Sequence, residues 1–208
     1  MTNLDNLNLC LNQINALANK TKPYQHTTFN QAFYSILRAS AVELDDLISK
    51  IDDLTACSLH TRNIFELYLI LRHIYEDEEA LNCWVGQSHK DSTDINKGFV
   101  TLFQSNGLDT SILENMQQLK DKALEESNYE SKSPFQVRNL ADKYGYLNDY
   151  LAVYKLCSKL IHPSSLKINL YNEISKENNY LKIVHKIVIH FSIKLTEFAL
   201  NIENNSQY

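Results

Sequence analysis

Structure breakers are scarce in this chain. Four glycines and three prolines interrupt 208 residues, and between them apolar residues recur every three or four positions. Glycine and proline shape tight turns and phosphate-cradling loops, so their scarcity argues against a turn-rich β-sandwich and against a glycine-loop nucleotide fold. Periodic apolar faces with few stops point to an all-α protein. A hydrophobic fraction of 44% can fill a substantial core, and the length suits one helical domain over 1–208. The sequence therefore predicts a single bundle of about six or seven helices, with a disordered polar tail at 204–208.

The individual helices follow from local signals. Leu4, Leu7, Leu11, Ile14 and Leu17 predict a first helix ending before Pro23. Thr27 or Thr28 caps a second, with an apolar face from Phe29 to Ile51. A third, over about 53–75, is apolar enough to be central and buried on several sides. Acidic residues 76–79 open a fourth, where negative charge suits the helix N-terminus; it extends with a break towards Phe103. Asp109 or Thr110 caps a more polar helix to about Glu126, and residues 127–133 form a loop ended by Pro134. A short helix over 135–144 stops at Gly145, a helix over 147–162 stops before Pro163, and residues 163–179 are an irregular link. The last helix covers 179–202.

Several function classes are disfavoured. The net charge of −5 does not suit general phosphate-backbone binding. The four cysteines, Cys10, Cys57, Cys83 and Cys157, form no Cys-x-x-Cys pair, so neither a zinc knuckle nor a disulfide framework is signalled. His185 and His190 diverge by about 140° on a helix and make no i,i+4 metal pair. No cofactor motif is present. The N-terminus does not read as a signal peptide, and charged residues interrupt every apolar run before it reaches spanning length, so a cytoplasmic protein without a membrane segment is expected.

Two clusters carry candidate chemistry. On the central helix Arg62 and Glu66 lie four apart among apolar neighbours. Exposed to water such a pair is worth only about 0.2–0.5 kcal/mol, but a buried one needs further hydrogen-bond partners. Near the end of the 147–162 helix, Tyr154, Ser158 and His162 are spaced by four and predict one polar stripe, with Lys155 two turns before His162. The two helices are expected to run antiparallel and to share one internal polar network of Arg62, Glu66, Tyr154, Ser158, His162 and Ser164. No metal ligand set is expected.

The Lys155–His162 spacing resembles that of the HEPN superfamily, all-helical proteins whose active members carry Arg, four to six residues, then His. Lysine at 155 keeps the charge but lacks the planar fork of arginine. The chain also resembles an uncharacterised bacterial helical family, the domain-of-unknown-function family 5677. The matching residues are Arg62-Asn-Ile-Phe-Glu66 and Tyr154-x-x-x-Ser158-x-x-x-His162-Pro-Ser164, within a resemblance over roughly 30–200.

Two functions follow. In one, the protein is a non-enzymatic interaction module, a homodimer with a possible protein partner, in the stress or phage-defence setting that the HEPN resemblance implies. In the alternative it is a metal-independent ribonuclease acting on RNA. His162 would then handle the proton, Lys155 or Arg62 would stabilise the phosphate, and Ser164 or Tyr154 would position it.

Overall fold

A computed structural model describes residues 3–22, 27–127, 129–169, 173 and 179–205, and among them there is no strand. Helices α1 (Asn3–Thr21), α2 (Thr28–Ser49), α3 (Leu54–Glu76), α4 (Glu78–Ser105) and α5 (Ser111–Glu125) are followed by α6 (Val137–Lys143) and α7 (Leu147–Asp149). A π-helical turn (Tyr150–Tyr154) leads into α8 (Lys155–Ile161), and α9 (Ser165–Asn169) and α10 (Asn179–Asn205) complete the order. The described residues divide into two compact units, one from residues 1–75 and 137–208, the other from 76–136.

Helix starts are satisfied by short polar side chains, as orphan first-turn N–H groups require. Thr27 Oγ1 accepts from the Asn30 N–H at 3.1 Å, Asp53 Oδ1 from Ala56 at 2.8 Å, and Asp77 Oδ1 from Glu79 and Ala80 at 3.1 and 3.2 Å. Helix α6 ends at Gly145, whose φ of +78° is the left-handed conformation that closes a helix cheaply only for glycine. Helix α4 runs unbroken through the interruption expected within it, because Gly86 and Gly98 remain helical. Part of the expected irregular link is also helical. Ser164 Oγ accepts from the Lys167 N–H at 3.2 Å and caps α9, whereas 170–172 and 174–178 lie outside the described residues. Helix α10 continues through Asn205, so 204 and 205 of the expected tail are helical, and 206–208 lie outside the described residues.

In the larger unit α3 carries contacts on three sides. Against α10, the Phe65 and Phe191 rings meet edge to face at 4.7 Å, both essentially without solvent exposure. At its other end α10 is tied to the α2–α3 turn by the His185 Nε2–H, which donates to the Ile51 carbonyl at 2.7 Å. Against α2, Glu43 accepts from His60 and Asn63. Against the 144–154 stretch, His73 meets Tyr144, Tyr68 meets Tyr146 and Arg62 meets Tyr154, an antiparallel pairing. Cys10, Cys57 and Cys157 are buried free thiols, and burial pushes the Cys57 and Cys157 thiols up to about 12.

The smaller unit is an antiparallel pair of α4 and α5, joined through Gly107 and latched by polar side chains. Gln117 Nε2 donates to Thr93 Oγ1 at 2.9 Å, its Oε1 accepts from Asn96 at 3.2 Å, and His89 Nε2 lies 3.0 Å from Asp121. Trp84 stacks on Phe135 at 6.2 Å between ring centres.

Candidate functional site

Arg62 sits at the meeting of α3 with the π-helical turn. Its Nε donates to Glu66 Oε1 at 2.9 Å, its Nη2 donates to the Tyr154 hydroxyl, and its guanidinium carbon lies 4.1 Å from the Tyr154 ring centre. The side chains of Arg62 and Glu66 are each 25% exposed, so this bracket is only partly withdrawn from water. Burial, then the Glu66 charge, raises the Tyr154 hydroxyl above its ordinary value, with Arg62 acting in the opposite direction. The phenol is therefore held protonated as a hydrogen-bonding group. Tyr150 lies against Tyr154 at 4.7 Å between rings. The π-turn over 150–154 widens the helix where these two aromatics leave it, a common place for such a turn. Because the ion pair keeps some contact with water, Tyr154→Leu is expected to cost about 1–2 kcal/mol, mainly from the lost cation–π contact and hydrogen bond, in urea unfolding followed by circular dichroism.

The other expected members of this network are placed differently. His162 is the C-cap of α8, with φ −80° and ψ 157°, and it is exposed. Its φ and its backbone N–H keep it in register with Tyr154 and Ser158, and only its ψ is extended, so the helix ends at the histidine and the chain turns away after it. The cause is Pro163, whose ring excludes the α conformation from the residue before it. Among the described residues the His162 imidazole has no hydrogen-bond or ionic partner; its backbone N–H donates to Ser158 O at 3.1 Å. Ser164 donates to the Lys159 carbonyl at 2.7 Å and caps α9. Lys155 is exposed. Arg72 and His73 are taken up by Tyr144: the guanidinium lies 4.7 Å from its ring centre, and His73 Nδ1 is 2.9 Å from its hydroxyl.

Two arrangements were not legible beforehand. His60, 6% exposed, lies 2.7 Å from Glu43 Oε2, while Asn63 donates to Glu43 Oε1 at 3.0 Å. Only the i,i+3 placement of His60 and Asn63 on α3 signals it; Glu43 comes from another helix. The second is an apolar face on the helical pair. Ile95, Phe99 and Leu102 on α4 are 48–59% exposed, and Ile112, Met116 and Leu119 on α5 are 44–72% exposed. Both triplets follow i, i+4, i+7. Counted at about 100° per residue from the positions that face the opposite helix, both stripes come to one side of the antiparallel pair. Helix α5 buries no residue at all.

Among the described residues no group of three His, Cys, Asp or Glu side chains is placed to hold a metal ion, and no helix is long and apolar enough to cross a membrane. No curated protein and no solved structure matches the chain. A family model matches residues 34–180, a span that includes the Arg62 bracket, the whole α4–α5 pair and His162. The chain belongs to the family of unknown function DUF5677.

Proposed function

We propose that the protein is a non-enzymatic helical interaction module that works as a homodimer through the apolar side of the α4–α5 pair. The observation that carries this reading is the exposed double stripe of Ile95, Phe99, Leu102, Ile112, Met116 and Leu119. Apolar patches of several hundred Å² are uncommon on a monomer and mark interaction sites. Six large side chains, each about half exposed or more, would form the apolar centre of an interface of standard size, roughly 800 Å² per partner. A two-fold axis on this side would bring four helices together with apolar stripes inside, a packing that antiparallel helix pairs readily adopt. The stress or phage-defence setting rests on the HEPN resemblance of the histidine segment alone.

Against the ribonuclease alternative stands the state of its proposed groups. The Arg62 guanidinium is occupied by Glu66 and by Tyr154, and His162 has no group among the described residues to orient it. A general acid–base histidine works through a fixed position relative to its cationic partner.

Sedimentation equilibrium tests the dimer. The wild-type chain is expected at twice its 24.1 kDa mass, and Ile112→Glu with Leu119→Glu is expected at the single mass with an unchanged circular dichroism spectrum. A monomeric wild type at about 100 μM, where weak dimers form, overturns the reading. A cleavage assay on single-stranded RNA is run in parallel and no product is expected. Wild-type cleavage that His162→Ala abolishes would establish the alternative, since an exposed histidine without partners is expected to change stability by less than about 0.5 kcal/mol.

A further inference from the structure

The smaller unit contains a cleft of about 480 Å³ lined by Val85, Ser88, His89 and Ser92 of α4 and by Lys120, Ala123, Leu124, Ser127 and Tyr129. That volume lies within the range of small-molecule sites. Two polar groups of its lining residues have no partner among the described residues. Asp121 accepts from His89 Nε2–H at 3.0 Å and also from Gln117 at 2.7 Å. That bond places the proton of the neutral imidazole on Nε2 and leaves a lone pair on Nδ1. Nδ1 is buried and has no partner among the described residues. A buried acceptor without a donor costs stability, so a donor from elsewhere would be bound there with a net gain.

The second group is Lys120. It is half-buried and has no ionic partner among the described residues, whereas Lys90 and Lys122 on the same helical pair are bonded to Asp94 and Glu126. Val85, Ala123 and Leu124 supply apolar lining, and the serine hydroxyls of 88 and 127 spend their protons on backbone carbonyls. A ligand that satisfies this set has an anionic head for Lys120, an apolar body, and a hydroxyl donor for His89 Nδ1.

We propose that this cleft binds a small hydroxylated carboxylic acid with an apolar body. The site is independent of the dimer reading and needs no residue of the Arg62 bracket. The test uses three simple probes, 4-hydroxybenzoate, benzoate and phenol, titrated into the full ¹⁵N-labelled chain and followed by amide chemical shifts. Saturable shifts are expected at Val85, Ser92 and Leu124, with 4-hydroxybenzoate bound about tenfold more tightly than either fragment, the factor for one good charged or neutral hydrogen bond. Lys120→Gln is expected to weaken both acids by about tenfold and to leave phenol unchanged. His89→Leu is expected to erase the preference for 4-hydroxybenzoate over benzoate.

The proposal is overturned if no cleft amide shifts up to about 10 mM probe, a weak-binding limit, or if Lys120→Gln binds both acids as tightly as wild type. His89→Leu also removes the bond to Asp121, and circular dichroism reports whether it folds. In either case the wild-type comparison of 4-hydroxybenzoate with benzoate decides the hydroxyl arm: equal affinity overturns the role of His89.

Discussion

Phe65→Ala is expected to cost about 3–5 kcal/mol, the range for removing a fully buried aromatic ring. Phe65 has no solvent exposure and its ring is held edge-on by Phe191, so no exposed side is available to collapse into the hole. Its loss would take a large share of the 5–15 kcal/mol that holds a typical domain folded. Chemical unfolding measured by far-ultraviolet circular dichroism checks it. The single tryptophan, Trp84, lies in the smaller unit and gives a second, separate probe. Two units that unfold as one would shift both midpoints together, while independent units would leave the Trp84 transition in place. A shift below about 1 kcal/mol would mean that Phe65 is not core.

Gly86→Ala and Gly98→Ala are expected to act in opposite directions, although both glycines lie inside α4. Helix propensity alone favours alanine by up to about 1 kcal/mol at either position. At Gly98 nothing lies within 4 Å of an added methyl, so that gain is expected in full. At Gly86 the methyl would stand 2.0 Å from the Glu130 carbonyl oxygen and 3.2 Å from the Lys132 Cγ. A backbone carbonyl at that distance must move, and the Lys132 N–H to Gly86 carbonyl bond, 3.3 Å long, moves with it. Overpacking of this kind costs about 1–3 kcal/mol and outweighs the propensity gain. The measurement is the unfolding midpoint by Trp84 emission, lowered in Gly86→Ala and raised in Gly98→Ala. Tyr129, which lines the cleft, is next to the displaced residue, so Gly86→Ala is also expected to weaken probe binding there.

Some of the candidate sites could be read before any coordinates. Arg62 and Glu66 are one turn apart on one helix, and such a pair is a local fact of α geometry. The partner role of Tyr154 followed from asking what a partly buried guanidinium needs. The helix end at His162 has a local cause that is present in the sequence. A residue before proline is steered out of the α region, so the helix ends at that residue. Glu43 with His60 belongs to another category, since seventeen residues and a turn separate them. No periodicity links groups on different helices.

The apolar stripe of α5 shows the same boundary from the opposite side. Ile112, Met116 and Leu119 form a plain helical face in the sequence, and such a face is ordinarily turned inward. Whether it is covered depends on tertiary packing, and among the described residues these three side chains are exposed. The division at residues 75–76 was silent too: α3 ends at Glu76, α4 begins at Glu78, and no flexible linker marks the change of unit.

By itself, the sequence determined the all-α class, most helix boundaries, a threonine cap at Thr27 or Thr28 and the Gly145 stop, because each depends on hydrogen bonds and sterics within a few residues. Tertiary structure alone decided that His60 is held by Glu43, that the α4–α5 stripes are exposed, and that His89 and Lys120 line one cleft. Those outcomes depend on which helices meet and in what register, which short-range spacing does not encode.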